Sequence, residues 1–209
     1  GDFYWSFEKD NFWYLAAVDC TGHGVPGAFM SMLGIAFLNE ITAVDKMLTP
    51  SEILDSLRSK IIKEMGQTGR MGENKDGMDI SLIRLNLTTH ELQWAGAYNP
   101  LWIINNRKEL IEIKGDKQPI GFSHNQNPFS NHVIPLNKED TFYIFTDGYA
   151  DQFGGVKGKK FKYMKLKEVL FTVNDRAMTE QKQILDENFE NWRGSLEQVD
   201  DVCVIGVRL

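Results

Sequence analysis

The sequence predicts an α+β fold in which helices and strands are segregated. Residues from Asp79 to Thr146 form a run of short β-rich segments joined by tight turns, the mark of antiparallel hairpins. Two helical patterns precede that run and two follow it. A strand near the start and another at the end complete the order, which is not a repeating βαβ chain.

Taken in order, Phe12 to Val18 is aromatic and β-branched at strand length and stops at Asp19. A glycine-rich turn follows, Asp19-Cys20-Thr21-Gly22-His23-Gly24-Val25-Pro26-Gly27. Phe29 to Thr42 reads as a helix with Phe29, Leu33, Phe37 and Ile41 on one stripe, and Pro26 sits near its first turn, where a missing N–H costs nothing. Thr49-Pro50-Ser51-Glu52 is a capping box that opens a helix to about Met65, with Ile53, Leu57, Ile61 and Met65 in line. Gly66 to Gly77 is glycine-rich and predicts a mobile loop. Strands are predicted over Asp79–Asn86, Glu91–Ala97, Leu101–Asn105, Leu110–Ile113, His132–Leu136 and Thr141–Thr146, with hairpin turns near Thr88 and Asn106. Helices over Met164–Phe171 and Thr179–Trp192, the latter ended by Gly194, lead to a last strand, Val202–Leu209.

The 209 residues suit a single domain spanning 1–209. With 23 Lys and Arg against 29 Asp and Glu, the formal charge is −6, and no basic face is evident for a nucleic acid. No apolar run approaches the roughly 18 residues of a membrane span, and no secretory signal is visible. Two cysteines, Cys20 and Cys203, make no disulfide framework and fit a reducing cytoplasm. Gly1 stands where an initiator Met is expected, so the chain reads as a fragment of something longer.

Asp2, Asp19, Asp147 and the pair Asp200-Asp201 lie at or next to strand ends. Taken one at a time, an Asp beside Gly is a turn former more often than a ligand. Together they supply the hard oxygen donors that Mg²⁺ or Mn²⁺ prefers, if the strands lie side by side.

These residues also sit in a familiar order. Gly1-Asp2-Phe3-Tyr4-Trp5 and Asp19-Cys20-Thr21-Gly22-His23-Gly24-Val25-Pro26-Gly27-Ala28 resemble the opening of the SpoIIE/RsbU-like branch of the metal-dependent (PPM, type 2C) serine/threonine protein phosphatases. Ala95-Gly96-Ala97-Tyr98-Asn99-Pro100, Gln118-Pro119-Ile120-Gly121, Phe145-Thr146-Asp147-Gly148 and Asp200-Asp201-Val202-Cys203-Val204 are similar to its later motifs, so the resemblance spans residues 1–209. It implies a four-layer αββα sandwich of two antiparallel sheets flanked by helices, with a further strand before Gly1. It implies two Mn²⁺ or Mg²⁺ ions, or three, held by Asp2, Asp19, the Cys20 backbone carbonyl, Asp147 and Asp200, with Asp201, its neighbour in the same motif, as a further metal residue. A metal-activated water would then attack phosphorus, with Asp19 and Asp147 as the central catalytic carboxylates. The implied substrate is a phosphorylated anti-sigma-factor antagonist of the STAS type. Upstream sensor domains in the same chain, a cytoplasmic location even if the whole protein is membrane-anchored, no membrane insertion of this part and an optional homodimer complete the picture.

The sequence departs from the family at Ala97-Tyr98, where His is common, and at His23, where Asn is common. His23 is read as shaping the turn, with proton donation to the leaving oxygen as the alternative. Asp79 is open between a plain strand start and a residue that backs the ligands or holds a third ion. Gly22-x-Gly24-x-x-Gly27 formally fits a dinucleotide fingerprint, but the βαβ setting is missing. The lysine-rich stretch from Lys157 to Lys167 reads as a solvated face, or else as a steering surface for an acidic phosphoprotein. The two helices after Asp19 pack on the sheet and are candidates for a switch that moves the ligand turn. The competing function is a pseudophosphatase that binds a phosphoprotein without turnover; a metal nuclease is disfavoured by the charge.

Overall fold

A computed structural model describes residues 1–22, 24–43, 46–70, 76–124 and 126–209. The chain runs β1 (Phe3–Lys9), β2 (Phe12–Cys20), α1 (Gly24–Thr42), α2 (Pro50–Glu64), β3 (Met78–Asn86), β4 (Glu91–Ala97), β5 (Leu101–Ile104), β6 (Leu110–Ile113), β7 (His132–Pro135), β8 (Thr141–Phe145), α3 (Gly148–Asp151), β9 (Phe153–Gly154), β10 (Lys159–Lys160), α4 (Tyr163–Val173), α5 (Met178–Arg193) and β11 (Val204–Arg208). One antiparallel sheet has the order β1-β2-β3-β4-β7 and a second has β11-β8-β5-β6.

Alternation along the strands assembles four layers. On β2, Leu15 and Ala17 point into a core shared with Phe142 and Ile144 of β8, Ile83 and Leu85 of β3, and Leu101 and Ile103 of β5. Ala16 and Val18 point the other way, onto Met30 and Leu38 of α1 and Ile53, Leu57 and Ile61 of α2. Tyr143 and Phe145, the alternate residues of β8, pack with Trp102 against Leu166, Leu170 and Phe189 of α4 and α5. The result is the αββα sandwich that the resemblance implies, with both sheets ending on one common rim.

The capping box closes as expected: the Thr49 N–H donates to Glu52 Oε2 at 2.8 Å and the Glu52 N–H to Thr49 Oγ1 at 3.3 Å. Ile53, Leu57 and Ile61 are fully buried, as their spacing predicts.

Four differences have physical reasons. Phe3–Lys9 is a strand, paired to β2 through a two-residue turn in which Asp10 takes φ +46°. The hairpin β9–β10 has two residues per strand, too few for a pattern to register. Helix α1 buries Met30, Gly34, Leu38 and Ile41 while Phe29 is 63% exposed, so the expected stripe is turned by about one residue. The helix is apolar nearly all round, and periodicity then has nothing to contrast. By length and composition α1 is also long and apolar enough to cross a membrane, which corrects the expectation that no stretch reaches that length. In the fold it packs against α2 and the first sheet. The loop expected to be mobile, Gly66 to Gly77, lies partly outside the described residues.

Candidate metal centre

The alternation that builds the inter-sheet core also aims carboxylates at its rim. Leu15 and Ala17 face inward on β2, so Asp19 does too; Ile83 and Leu85 face inward on β3, so Asp79 does too. Asp19 and Asp79 are direct cross-strand partners. On the other side, Phe3 pairs with Val18, which puts Asp2 opposite Asp19 one step further along. Three adjacent strands of one sheet therefore present Asp2, Asp19 and Asp79 in a row. The second sheet answers with Thr146 and Asp147 at the end of β8 and Asp200-Asp201 just before β11.

The backbone around these residues is tightly tied. Thr146 and Cys203 exchange hydrogen bonds, Thr146 N–H to the Cys203 carbonyl at 3.0 Å and Cys203 N–H to Thr146 Oγ1 at 3.0 Å. Gly148 lies against the Asp201 carbonyl so closely that a Cβ there would overlap it. The Asp147-Gly148 pair is thus a packing requirement, because it lets the Asp200-Asp201 backbone reach the centre. The glycine turn is held the same way: a Cβ on Gly27 would come within 2.5 Å of the Gly22 carbonyl oxygen, and Gly22 itself takes φ +90°. The Thr21 N–H donates to the Gly77 carbonyl at 3.0 Å, which joins this turn to the start of β3.

Electrostatics mark the cluster as short of positive charge. Burial, then the charges of Asp147, Asp2, Asp200 and Asp79, push the Asp19 carboxyl up to about 8. Asp79 is pushed up to about 7 by burial and by Asp147. Asp2 is pushed up to about 6, mainly by burial, with Asp200 and Asp201 adding to it and hydrogen bonds to Thr146 and Asp19 opposing. Asp147 is raised by burial, Asp151 and Asp200, against the opposing charge of Lys160. Among the described residues no ion pair reaches Asp2, Asp19, Asp79, Asp147 or Asp200.

The donor set fits a hard divalent cation. All the converging groups are oxygens, and Asp2 Oδ2 is buried without a hydrogen-bond partner among the described residues. Among those residues no group of three or more His, Cys, Asp or Glu side chains is arranged to hold an ion unaided. Mg²⁺ and Mn²⁺ commonly take one or two carboxylates and complete their shell with water and carbonyl oxygens. A cleft of about 720 Å³ opens over the centre, lined by Asp19, Cys20, Gly22, Asp79, Val199 and Asp200 among others.

Of the residues expected from sequence, Asp2, Asp19, Asp147 and Asp200 come together. Asp201 lies beside them and is felt at Asp2. Its Oδ2 accepts from the Asp2 N–H at 3.2 Å, so it holds the backbone that carries Asp2, and it lines the same cleft. Cys20 lines the cleft, while its thiol lies in the core beneath α1 and is pushed up to about 11 by burial. His23 lies outside the described residues. Asp79 belongs to the row, and period-two alternation along Asp79–Asn86 is the signal that finds it. Sequence reasoning missed Gln152, which is fully buried and fastens one wall of the cleft. It donates to the Glu197 carbonyl at 2.9 Å and accepts from the Val199 N–H at 3.2 Å.

The family model described as Stage II sporulation protein E (SpoIIE) matches residues 9–209. No curated protein matches the chain. Among solved structures, the SiaA-PP2C domain of Pseudomonas aeruginosa is similar at 29% identity and TM-score 0.87, covering 100% of this chain and 80% of that one. The PP2C phosphatase domain of SpoIIE from Bacillus subtilis, solved with a fragment of its regulatory domain, has 18% identity and TM-score 0.76, covering 100% of this chain and 58% of that one. RsbX in complex with magnesium has 13% identity and TM-score 0.65, covering 98% and 85%. At those two identities the likeness is one of fold.

Proposed function

Since the chain belongs to the SpoIIE family of protein phosphatases, we propose that it hydrolyses phosphoserine or phosphothreonine in a partner protein with the help of Mn²⁺ or Mg²⁺. The observation that carries this reading is the row Asp2, Asp19, Asp79 facing Asp147 across the rim of the two sheets. Asp2, Asp19, Asp147 and Asp200 would hold the ions together with the Cys20 carbonyl, and Asp79 would serve a third ion or back the others. Bound there, divalent ions make water acidic enough to act as a nucleophile near neutral pH and neutralise the phosphoryl oxygens.

The chain's own residues orient and exclude. Thr146 steadies the Asp2 carboxylate, Asp201 fixes the Asp2 backbone, and Gly148 sets how near Asp200 can come. The buried Asp19 and Asp79 carboxyls retain protons near neutral pH until a cation displaces them, so ion binding and proton release are linked. The sheet-end placement gives a phosphorylated loop access without a deep pocket. Reactive cysteine chemistry is not called for, because burial pushes both thiols up to about 11, away from the thiolate form that a nucleophile needs.

The finer proposals follow from the resemblance. The substrate is a phosphorylated anti-sigma-factor antagonist of the STAS type. Residues 1–209 act as one catalytic domain of a larger cytoplasmic regulator with sensor domains upstream. The test is hydrolysis of p-nitrophenyl phosphate and of a phosphoserine protein with Mn²⁺. Turnover lost in Asp147→Asn supports the reading; phosphoprotein binding without turnover in the unaltered protein replaces it with the pseudophosphatase.

A further inference from the structure

We propose that Lys160 binds the phosphoryl oxygens of the substrate through its ammonium group, held in waiting by Asp151 at the edge of the acidic centre. The proposal rests on the phosphatase reading above and adds a cation that the family motifs do not contain.

The hairpin β9–β10 rises directly from α3, the helix that begins after Asp147. Its return strand is stapled down by two backbone bonds, Phe161 N–H to the Gln152 carbonyl at 2.9 Å and Lys162 N–H to the Ala150 carbonyl at 2.6 Å. Lys160 is thereby fixed at its backbone beside α3, while its side chain remains about half exposed. Its Nζ lies 2.8 Å from Asp151 Oδ2. The Asp151 N–H in turn donates to the Asp147 carbonyl at 2.9 Å, so the ion pair sits one helical turn from Asp147. The Lys160 charge is felt at Asp147, in opposition to Asp151 and Asp200.

Neighbouring lysines are differently placed. Lys165 Nζ stands 3.6 Å from the centroid of the Trp192 ring, and Lys167 Nζ pairs with Glu112 at 3.0 Å beside Trp102. Lys160 alone of these three is held by a carboxylate next to the centre.

The carboxylates Asp147, Asp151 and Asp200 at this rim repel an approaching phosphoryl dianion wherever bound cations do not offset them. A cation at the rim lowers that barrier. Lysine suits the task, because its ammonium is a compact charge on a flexible four-carbon stem with three donors. The bond to Asp151 is half exposed and correspondingly weak, so a dianion outcompetes the single carboxylate. Asp151 then keeps Lys160 poised without committing it.

The experiment uses the Mg²⁺-loaded protein with two probes: inorganic phosphate, titrated by calorimetry, and p-nitrophenyl phosphate, followed by turnover. Lys160→Gln is expected to weaken phosphate and raise KM by about tenfold, the size of one lost charge-assisted hydrogen bond, with kcat within about threefold. Lys160→Arg keeps the charge and restores most of both. Lys157→Gln, the same charge change at the hairpin tip, leaves both unchanged. Asp151→Asn tightens phosphate, and that gain vanishes in the double variant with Lys160→Gln. Phosphate affinity unchanged in Lys160→Gln, or lowered equally by Lys157→Gln, overturns the proposal, as does a gain from Asp151→Asn that survives without Lys160. Phosphate that binds in a Lys160-dependent way to a protein without turnover sinks the phosphatase reading and leaves this assignment standing.

Discussion

Asp19 and Asp79 face each other as direct partners across the β2–β3 ladder, both on the inward side and with no basic residue paired to either among the described residues. Like charges placed directly opposite on a sheet are destabilising. A fold that keeps them there stores a cost that only protons or cations relieve. The burial-driven rise of both carboxyls is the same fact expressed in protons.

The first prediction concerns pH. Asp2, Asp19 and Asp79 hold protons in the folded chain up to about 6, 8 and 7, whereas an ordinary Asp releases them at 3.8. The folded state therefore binds more protons between those limits, and stability falls as pH rises through that window. The metal-free protein should melt at a higher temperature at pH 5 than at pH 8. Mn²⁺ should raise the melting temperature more at pH 8 than at pH 5, since at pH 5 it must first displace protons. Melting curves that are flat or rise from pH 5 to pH 8 without metal would remove the argument.

The second prediction separates stability from activity at one residue. Asp19→Asn deletes the charge at the middle of the row, which relieves repulsion with Asp2, Asp79 and Asp147. Its metal-free melting temperature at pH 8 should rise by about 2–4 °C, the shift expected for roughly 1 kcal/mol in a chain of this size. Turnover with Mn²⁺ should drop by more than about 100-fold, because loss of even an outer partner of a metal ligand costs 10–100-fold. A variant that loses both stability and turnover would point to Asp19 as a structural residue.

Much of this centre is legible in the sequence, and the illegible parts have definite causes. An Asp at the end of an apolar strand can be seen in Val18-Asp19 and Phe145-Thr146-Asp147, because a hydrophobic run fixes the strand and its last polar residue marks the rim. Asp79 required one step more, counting inward positions back from Ile83. Register between distant strands is not written locally, so the meeting of Asp2 with Asp19, and of Gly148 with Asp201, came only with the fold. The strand Phe3–Lys9 escaped because its alternation mixes Phe3, Trp5 and Phe7, which pack on the side of α1 and α2, with an exposed Tyr4 that blurs the pattern. Gln152 gives no signal at all: a buried amide between a helix and a loop looks like any polar loop residue.

The third prediction tests the close approach at Gly148. A methyl group there must displace the Asp201 carbonyl, which belongs to backbone and cannot swing aside. Gly148→Ala should cost about 1–3 kcal/mol in denaturant unfolding, the usual range for overpacking. It should weaken Mn²⁺ binding as well, since Asp200 moves with that backbone. Unchanged metal affinity in a destabilised variant would detach Asp200 from the ion site.

The last prediction follows from Gln152. Its amide nitrogen donates to the carbonyls of Phe153 and Glu197, both at 2.9 Å, and its oxygen accepts from the Val199 N–H at 3.2 Å. One fully buried side chain thus ties the base of the β9–β10 hairpin to the 197–199 segment, which lines the cleft and leads into Asp200. Gln152→Ala strands three backbone groups and should destabilise by about 1–3 kcal/mol. Gln152→Glu keeps the shape and one acceptor but replaces a donor with negative charge facing two carbonyl oxygens, and should be at least as damaging. With the Gln152 link cut, the wall drifts relative to Asp147, so Mn²⁺ affinity should fall about 10–100-fold in Gln152→Ala, as for the loss of other partners behind metal ligands. Calorimetric titration of Mn²⁺ at a temperature where the variant stays folded reads this directly. An unchanged affinity there would mean that Asp200 is positioned by Gly148 and β11 alone, and that Gln152 serves only the hairpin.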